Sequence, residues 1–359
     1  MSVLEGVHED HGATFVEFNG RRMVEHYGRP ERAHHAVRNG VGVIEAAYGI
    51  VSIEGDDRVG FVDNVVSNAV PREDGQGTYA LLLDPQGRIE TELYVYNAGS
   101  RLLLFTPPGE AASLVDDWSG KIFIEDVELS IVTDEFAVFG VHGPAATEKL
   151  ASVLPRDEPP AEALTFDRVD LAEVGVTLVR MDAPTGEKGY EVVCTAADAA
   201  EVFDTLLTRG SNAAPFGHRT WGTLTLEAGT PLFASELDGR IPNAAGIRNA
   251  LDFEKGCYVG QEVVSRIENL GRPPERLVGL LPERVPDPGA AVFDGERALG
   301  EVTRAAESPT RDEPIALAAL DEEVGELTVR VDGEEVAATI EELPFVEGSE
   351  RSARLPDYR

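Results

Sequence analysis

The chain has 359 residues, of which 65 are acidic and 31 are basic, and its formal charge is -34 at pH 7. Hydrophobic residues make up 42% of the chain, so a packed core is possible and a disordered acidic tail is excluded. Phosphate contacts need a basic stripe, and because the sequence shows none, we expect no nucleic acid partner.

The acidic residues are spread along the whole chain, and arginine supplies nearly all of the basic side chains. Lysine occurs only at Lys121, Lys149, Lys188 and Lys255. Such a surface is typical of adaptation to concentrated salt, because screening over a few ångströms removes most of the self-repulsion. The alternative is an acidic patch for a basic partner, but charge of that kind usually clusters in blocks.

No apolar run approaches the roughly 18 residues of a membrane span, and residues 1–12 lack a basic-then-apolar signal pattern. We therefore expect a cytoplasmic protein with no membrane partner. The two cysteines, Cys194 and Cys257, form no Cys-x-x-Cys motif and no Cys/His cluster. They indicate neither a disulfide framework nor a zinc site, so we expect no metal and a reducing compartment.

Residues 1 to about 150 alternate helical and strand patterns. Residues 30–40 predict a helix that ends at a glycine, and residues 143–154 predict a helix with Pro144 in its first turn. Strands are predicted within 48–55, 78–107 and 136–143. The sequence DPQG at 84–87 is suited to a tight turn, so the strands on either side are expected to form a hairpin.

A second α+β unit is predicted from about residue 165, and a third unit with a different pattern of hydrophobic residues from about residue 275. The second has strands at 175–181 and 189–195 and helices at 198–210 and 218–229. In the third, short alternating runs are broken twice by Asp-Gly, the strongest short hairpin signal, which predicts a small all-β domain of barrel type. The junction is expected within 265–277, where Pro273 and Pro274 disfavour a helix.

Three local patterns are interpreted as structural. The closely spaced glycines of 39–49 lack the strand, loop and helix context of a dinucleotide site. His8 and His11 are one turn apart, and a solvated helix start is expected there rather than a metal site. Cys194 shares one face of a predicted strand with Tyr190 and is expected in the core.

Cys257 invites a functional interpretation. It follows Lys255 and lies just before a helix that could begin at Gly260, and a thiol beside a lysine and near a helix N-terminus is stabilised as the thiolate. The residues alone also allow the simpler alternative, in which Cys257 is a small apolar side chain in a turn.

Residues 255–262 read KGCYVGQE and match, at all eight positions, the K-G-C-[aromatic]-x-G-Q-E signature of the YgfZ-type family. Members of this family are folate-binding relatives of the glycine-cleavage T-protein (aminomethyltransferase) that assist iron–sulfur cluster assembly. Other segments resemble the wider T-protein superfamily almost from end to end. They are the opening segment 8–49, VHGPAA at 141–146, TGEKGYEV at 185–192, LTLEAG at 224–229 and IPNAAGI at 241–247.

This resemblance implies an α+β fold, a T-protein-like cloverleaf of two α+β domains and a small C-terminal β-barrel around a tetrahydrofolate pocket. We expect an aminomethyltransferase-like folate-binding region at 1–274, with subdomains of roughly 1–150 and 151–274, and the barrel at 275–359. The ligand expected in the pocket is tetrahydrofolate or a reduced one-carbon folate.

The resemblance also implies site residues. Glu187 is expected to pair with the pterin, Tyr79 to lie near the same pocket, and Cys257 and Glu92 to be catalytic. Glu191 is expected to face solvent. The remaining candidate cofactor-binding residues lie in the eight-residue signature: Lys255, Gly256, Tyr258, Gly260, Gln261 and Glu262.

Two departures from the T-protein pattern bear on activity. Thr91 and Glu92 stand where T-proteins carry two aspartates, and Glu92 holds its carboxylate on an arm that is longer by one methylene, enough to disturb catalytic geometry. Thr225 replaces the arginine of L-R-L-E-A-G. Arg219 or Arg248 could substitute for that cation.

The resemblance favours a folate-binding factor that assists iron–sulfur cluster assembly or repair through Cys257, with iron–sulfur client or assembly proteins as partners. One alternative is a folate-dependent aminomethyltransferase or related one-carbon transferase, which the T-protein-like N-terminal region favours and the changes at Thr91 and Thr225 disfavour. The other is a non-catalytic folate-binding scaffold.

Overall fold

The computed structural model describes residues 4–155, 158–271, 273–321 and 327–358. Its strands are β1 Thr14–Phe18, β2 Arg21–His26, β3 Gly42–Glu45, β4 Gly49–Glu54, β5 Gln76–Leu83, β6 Ile89–Asn97, β7 Leu102–Thr106, β8 Glu128–Ile131, β9 Phe136–His142, β10 Phe166–Leu171, β11 Val174–Arg180, β12 Gly189–Thr195, β13 Ala214–Pro215, β14 Arg276–Pro282, β15 Ala291–Asp294, β16 Arg297–Ser308, β17 Glu313–Leu320, β18 Leu327–Val331 and β19 Glu334–Glu341. Its α-helices are α1 Glu5–Asp10, α2 Pro30–Asn39, α3 Arg58–Val65, α4 Ala111–Ser119, α5 Ala146–Ala151, α6 Ala199–Thr208, α7 His218–Glu227, α8 Pro242–Ala245 and α9 Gln261–Leu270.

Two antiparallel sheets form the larger part of the molecule. One has the strand order β5-β6-β7-β4-β8, and the other has the order β10-β11-β12-β9-β3-β13, in which only the β13–β3 pair is parallel. Strands β3 and β9 precede residue 150 but pair in the second sheet with strands that follow it. The two sheets therefore take interleaved segments of the chain, and a division near residue 150 does not separate them.

The C-terminal strands close into a barrel in the order β14-β17-β16-β15-β18-β19, with β19 returning to β14. Both Asp-Gly pairs lie in the tight turns that the sequence predicts, β15 to β16 and β18 to β19. One of the short alternating runs from which the sequence predicts the barrel spans residues 326–340, and its first residue, Glu326, lies outside the described residues. The α+β fold with a small C-terminal barrel is thus confirmed.

The hairpin at 84–87 is also confirmed. The Gly87 N–H donates to the Asp84 carbonyl over 2.9 Å, and Gly87 has a φ of +75°. That conformation is cheap for glycine because it has no Cβ.

Three details differ from the sequence expectations. Helix α5 begins at Ala146, so Pro144 precedes the helix instead of lying in its first turn. Helix α9 includes the first six residues of the expected junction 265–277 and ends at Leu270, and Gly271 caps it in the left-handed conformation favoured at helix ends. Pro273 and Pro274 follow that end, so the change from helix to barrel takes only a few residues.

His8 is fully buried instead of solvated. Its Nε2 lies 2.8 Å from Glu45 Oε2, and the hydroxyl of Tyr27 lies 2.8 Å from its Nδ1. Two partners within the protein make His8 a satisfied core residue. No group of three potential metal ligands occurs within the described part of the chain.

Within the described residues, no helix is both long enough and apolar enough to span a membrane.

The cores of the three units meet at the centre of the molecule. One buried cluster contains Tyr79, Tyr94 and Tyr96 from the first sheet, Val193 from the second and Leu277 from the barrel. A cavity lined by side chains from both sheets opens beside this cluster.

Candidate functional site

The central cavity has a volume of about 380 Å³ and lies between the β1–β2 hairpin, the two sheets, α7 and the π-helical turn Phe233–Leu237. Its wall is mainly apolar and aromatic, as is usual for small-molecule sites. The aromatic residues are Phe18, Tyr48, Tyr94, Phe105, Trp221 and Phe233. Such a wall suits a flat heterocyclic ligand.

Glu191 is the buried carboxylate of this wall. It lies in the middle of β12 and is only 3% exposed, so the expectation that it faces solvent is wrong. The hydroxyl of Tyr48 donates to Glu191 Oε1 over 2.6 Å, whereas Oε2 has no hydrogen-bond partner among the described residues. Burial raises the pKa of Glu191 to about 7, the charge of Asp182 adds to the shift, and the Tyr48 hydrogen bond opposes it.

Glu92 is a second carboxylate on the cavity wall. The hydroxyl of Tyr79 donates to Glu92 Oε2 over 2.6 Å, and a guanidinium nitrogen of Arg354 lies 3.3 Å from the same oxygen. Burial raises the pKa of Glu92, and the charge of Arg354 opposes this shift. Tyr79 is 1% exposed and supports Glu92 from behind the wall.

Arg354 also contacts a third carboxylate. Its Nε lies 3.4 Å from Asp182 Oδ2, and Asp182 Oδ1 accepts a 2.9 Å hydrogen bond from Tyr94. Its guanidinium lies 5.1 Å from the ring centre of Tyr79, within the range of cation–π attraction. A single buried cation is therefore shared by Glu92 and Asp182, with Glu191 on the same cavity.

A buried histidine, His142, and a half-buried one, His218, complete the polar part of the wall. Burial lowers the pKa of His142 to about 3 and that of His218 to about 4, so both imidazoles are neutral at neutral pH. His142 stands where the superfamily motif has glutamine, and it supplies a neutral hydrogen-bonding group in its place.

Glu187 lies outside the cavity wall, and both of its carboxylate oxygens are engaged. Oε1 accepts a 2.8 Å hydrogen bond from Arg38, and Oε2 accepts the backbone N–H and the hydroxyl of Ser349 at 2.8 and 2.5 Å. A carboxylate with these partners is not free to pair with a pterin. The geometry favours Glu191, four positions further along the chain, for that role.

The ammonium of Lys255 is bound by main-chain carbonyls of α3 and of the segment that follows it. Its ammonium donates to the backbone carbonyls of Asp63, Val66 and Asn68 over 2.6, 2.9 and 2.9 Å, and its side chain is 4% exposed. The lysine expected to stabilise the thiolate therefore holds the connection between α3 and β5 by hydrogen bonds. Cys257 itself is exposed.

The other signature residues shape the loop and the start of α9. Gly260 has a φ of +81°, and a Cβ there would lie 2.7 Å from the Asp84 carbonyl oxygen, so this position requires glycine. A Cβ at Gly256 would meet nothing within 4 Å, so no steric constraint acts there. Tyr258 is 7% exposed and lies under the Lys255 ammonium. Glu262 is exposed and pairs with Arg266 one turn on.

Gln261 is the first residue of α9, and its N–H donates to the Tyr258 carbonyl over 3.3 Å. None of the signature residues 255–262 lines the central cavity. The signature loop is therefore not part of the cavity wall.

The cation expected near Thr225 comes from the barrel. Arg304 of β16 donates to Thr225 Oγ1 over 2.8 Å and lies 3.4 Å from Glu236, which is fully buried. Arg219 is exposed at the start of α7, and Arg248 pairs with Glu268. The suggestion that Arg219 or Arg248 takes the place of the missing arginine is not supported by their positions.

Comparison with known proteins identifies the family. Residues 4–255 match the GCVT N-terminal domain, and residues 275–347 match the glycine cleavage T-protein C-terminal barrel domain. The chain belongs to the glycine-cleavage T-protein family.

Relatives of this T-protein family member cover nearly all of its length. An aminomethyltransferase of Geobacillus thermodenitrificans is 32% identical over 94% of this chain and 96% of that protein, and one of Saccharopolyspora erythraea is 31% identical over 95% and 96%. The crystal structure of the glycine cleavage system aminomethyltransferase T from Bartonella henselae has a TM-score of 0.86 at 25% identity, with 98% of each chain covered.

These matches confirm the T-protein part of the resemblance and fit the one-carbon-transfer alternative better than the iron–sulfur interpretation. Aminomethyltransferases of the T-protein family use tetrahydrofolate, which agrees with the ligand expected from the sequence. Sequence reasoning missed Asp182 and Arg354, because neither lies in a motif and only the folded chain brings them beside Glu92.

Proposed function

We propose that this T-protein family member binds tetrahydrofolate in the central cavity and catalyses transfer of a one-carbon unit, as an aminomethyltransferase does. The observation that carries the proposal is the Oε2 of Glu191, which lies in an aromatic cavity and has no hydrogen-bond partner within the described part of the chain. A carboxylate there can accept two N–H bonds from the amino-pyrimidine edge of a pterin, and hydrogen bonds to a charged acceptor are the strong ones. The aromatic wall would enclose the flat rings.

Glu92 is the group suited to proton transfer. When the aminomethyl carbon becomes a methylene bridge between two folate nitrogens, its bonds to the amino group and to the donor's carrier group break, and each folate nitrogen loses a proton. One proton leaves with the amino group as ammonia, and the other goes to the departing carrier group. Glu92 lies on the same cavity as Glu191, with Tyr79 as a hydrogen-bond donor and Arg354 as a countercharge. In this proposal Glu92 holds a proton between its loss from a folate nitrogen and its uptake by a departing group, and Arg354 stabilises the ionised form of Glu92.

The test is the formation of methylene-tetrahydrofolate from an aminomethyl donor, together with the Kd of tetrahydrofolate. Glu191→Gln should weaken binding by roughly tenfold or more, because one strong acceptor becomes a neutral amide with a donor facing a donor. Glu92→Gln should lower kcat by roughly 100-fold, the usual loss when a proton-transferring group is removed, with a much smaller change in Kd. Binding without turnover in the wild type would contradict transfer and would favour the scaffold alternative.

The second candidate is the YgfZ-type role in iron–sulfur cluster assembly or repair, and one observation favours it. Cys257 belongs to the complete eight-residue signature, and its thiol is exposed on a loop held firmly by Lys255 and Gly260. An exposed thiol on a fixed loop can meet a client or assembly protein.

This role is tested in cells that carry Cys257→Ala at normal expression, with Val259→Ala on the same exposed loop as the matched control. The activities of endogenous iron–sulfur enzymes should fall selectively in the Cys257→Ala cells while folate binding by the purified variant is unchanged. Equal iron–sulfur enzyme activities in the two strains would exclude the role.

A further inference from the structure

His142 lies on the same face of the second sheet as Glu191. Cross-strand pairing places Gly140 of β9 opposite Glu191 of β12. His142 pairs in the same way with Gly189. Residues two apart on a strand share a face, so these four positions form one small square of sheet surface. Because Gly140, His142 and Glu191 all line the central cavity, the imidazole is a close neighbour of the carboxylate proposed to bind the pterin.

The two glycines leave the space that the imidazole occupies. A Cβ built at Gly140 would lie 2.6 Å from His142 Nε2, and one built at Gly189 would lie 2.7 Å from His142 Nδ1. Both distances are too short for real contacts, so a side chain at either glycine would force the ring to move. Trp221 contacts the ring in a T-shaped arrangement with 5.1 Å between the ring centres. The ring is thus held along the sheet, with Nε2 over Gly140, the position that faces Glu191 across the strands.

The surroundings of the ring decide which nitrogen carries the proton. Burial lowers the pKa of His142 to about 3, and the charge of Arg180 adds to this shift, so the imidazole is neutral with one donor and one acceptor. Nδ1 is buried and has no hydrogen-bond partner within the described part of the chain. Buried N–H groups without a partner are rarer in proteins than buried acceptors that lack one. The tautomer with the proton on Nε2 is therefore favoured, and it offers a donor beside Glu191.

We propose that His142 is a specificity-determining residue of this site, whose Nε2–H donates to the carbonyl oxygen of the pterin's pyrimidine ring. The inference rests on the proposed folate binding and deepens it by naming a second residue that recognises the ring. Along one edge of a reduced pterin, the amino group and the ring N–H are followed directly by this carbonyl. A carboxylate alone would accept any amino-pyrimidine edge, whereas Glu191 with a neighbouring donor requires that the edge continue with an acceptor.

The experiment compares the Kd of tetrahydrofolate with that of its 4-thioxo analogue, under reducing conditions. Sulfur in place of the carbonyl oxygen keeps the two donors that Glu191 would accept, but it is a much weaker acceptor. Wild type should bind the oxo compound roughly tenfold more tightly, because a buried donor is left without a good acceptor in the thioxo complex. His142→Leu should weaken binding of tetrahydrofolate to a similar degree and bring the ratio of the two constants to about one. His142→Gln keeps an N–H donor and should retain most of the ratio.

Gly189→Ala tests the position of the ring without removing the imidazole. The added methyl group would lie 2.7 Å from Nδ1, so the ring has to turn away and the ratio should fall toward one. Gly175→Ala is the matched control, because Gly175 is also a strand glycine and the nearest atom to a Cβ there is 4.0 Å away. Gly175 does not line the central cavity, so this control should keep the wild-type ratio.

Each outcome decides between the two levels of the proposal. If wild type binds neither compound, the proposed folate function fails and this inference fails with it. If wild type binds both equally well, the folate function stands and the role of His142 is refuted. A preference for the oxo compound that survives in His142→Leu and Gly189→Ala would refute it as well. Gly189→Ala decides alone if His142→Leu does not fold, since it keeps every side chain of the cavity wall.

Discussion

The hydroxyl of Tyr48 donates a 2.6 Å hydrogen bond to one carboxylate oxygen of Glu191. The other oxygen has no hydrogen-bond partner within the described part of the chain. The pair joins β12 of the second sheet to the segment that leads from β3 in that sheet to β4 in the first sheet. A buried carboxylate with one unsatisfied oxygen costs stability in the ligand-free protein, and a ligand that donates N–H groups removes that cost.

Glu191→Gln should therefore stabilise the ligand-free protein above pH 7. The folded-state pKa of about 7 exceeds the ordinary 4.5, so folded wild type binds more protons, and its free energy of unfolding falls as pH rises from about 4.5 to 7. The fall amounts to about 3 kcal/mol, and glutamine does not titrate. Chemical denaturation at pH 5 and pH 8 measures the difference, with exposed Glu128→Gln as the control. A variant that is less stable than wild type at pH 8 would contradict the argument.

Asp182→Asn should move the pH dependence of folate binding to lower pH. The charge of Asp182 is one of the causes that raise the pKa of Glu191, while asparagine can still accept the hydrogen bond from Tyr94. Binding through ionised Glu191 strengthens as pH rises through that pKa, so the midpoint should fall below its wild-type value near 7. A titration of Kd against pH measures it, with exposed Asp170→Asn as the reference. An unchanged midpoint would show that Asp182 acts only as a structural acceptor.

Lys255→Met should destabilise the fold by about 2–4 kcal/mol, because three partly buried backbone carbonyls lose their donor. Lys121→Met removes an exposed lysine that pairs with Asp117 one turn away, and should change stability by less than about 0.5 kcal/mol. Equilibrium unfolding in denaturant measures both variants. If the two variants are equally stable, the hydrogen bonds of Lys255 do not stabilise the fold as its contacts indicate.

The strands and helices were largely predictable because the signals are local. Alternation and Asp-Gly turns predicted the barrel, and Gly260 marked the start of α9. His8 was misjudged because its partners, Glu45 and Tyr27, are distant in sequence, and a polar residue in a short helix gives no local sign of burial.

The site was less predictable because tertiary contacts decide which polar residues meet. Glu187 and Glu191 lie in one motif, and both faces of β12 are buried, so alternation alone cannot tell which carboxylate reaches a cavity. Likewise Arg304 reaches Thr225 from a position 79 residues away in the barrel. No arginine near the motif in sequence takes this position, so the motif itself carries no sign of Arg304.

The acidic surface predicts that salt stabilises the fold. This prediction follows from the sequence and does not depend on the candidate site. A formal charge of -34 gives self-repulsion that favours the unfolded chain, and the Debye length falls from about 10 Å at 0.1 M to about 3 Å at 1 M ionic strength. The melting temperature should therefore rise steeply when the KCl concentration is raised from about 0.2 M, where screening is weak, to about 2 M, where screening is strong. A variant with the exposed residues Glu9, Asp10 and Glu201 changed to their amides should show a smaller rise, because less repulsion remains to be screened. Equal salt dependence in the two proteins would assign the effect to the strengthening of apolar burial by salt, and not to relief of charge repulsion.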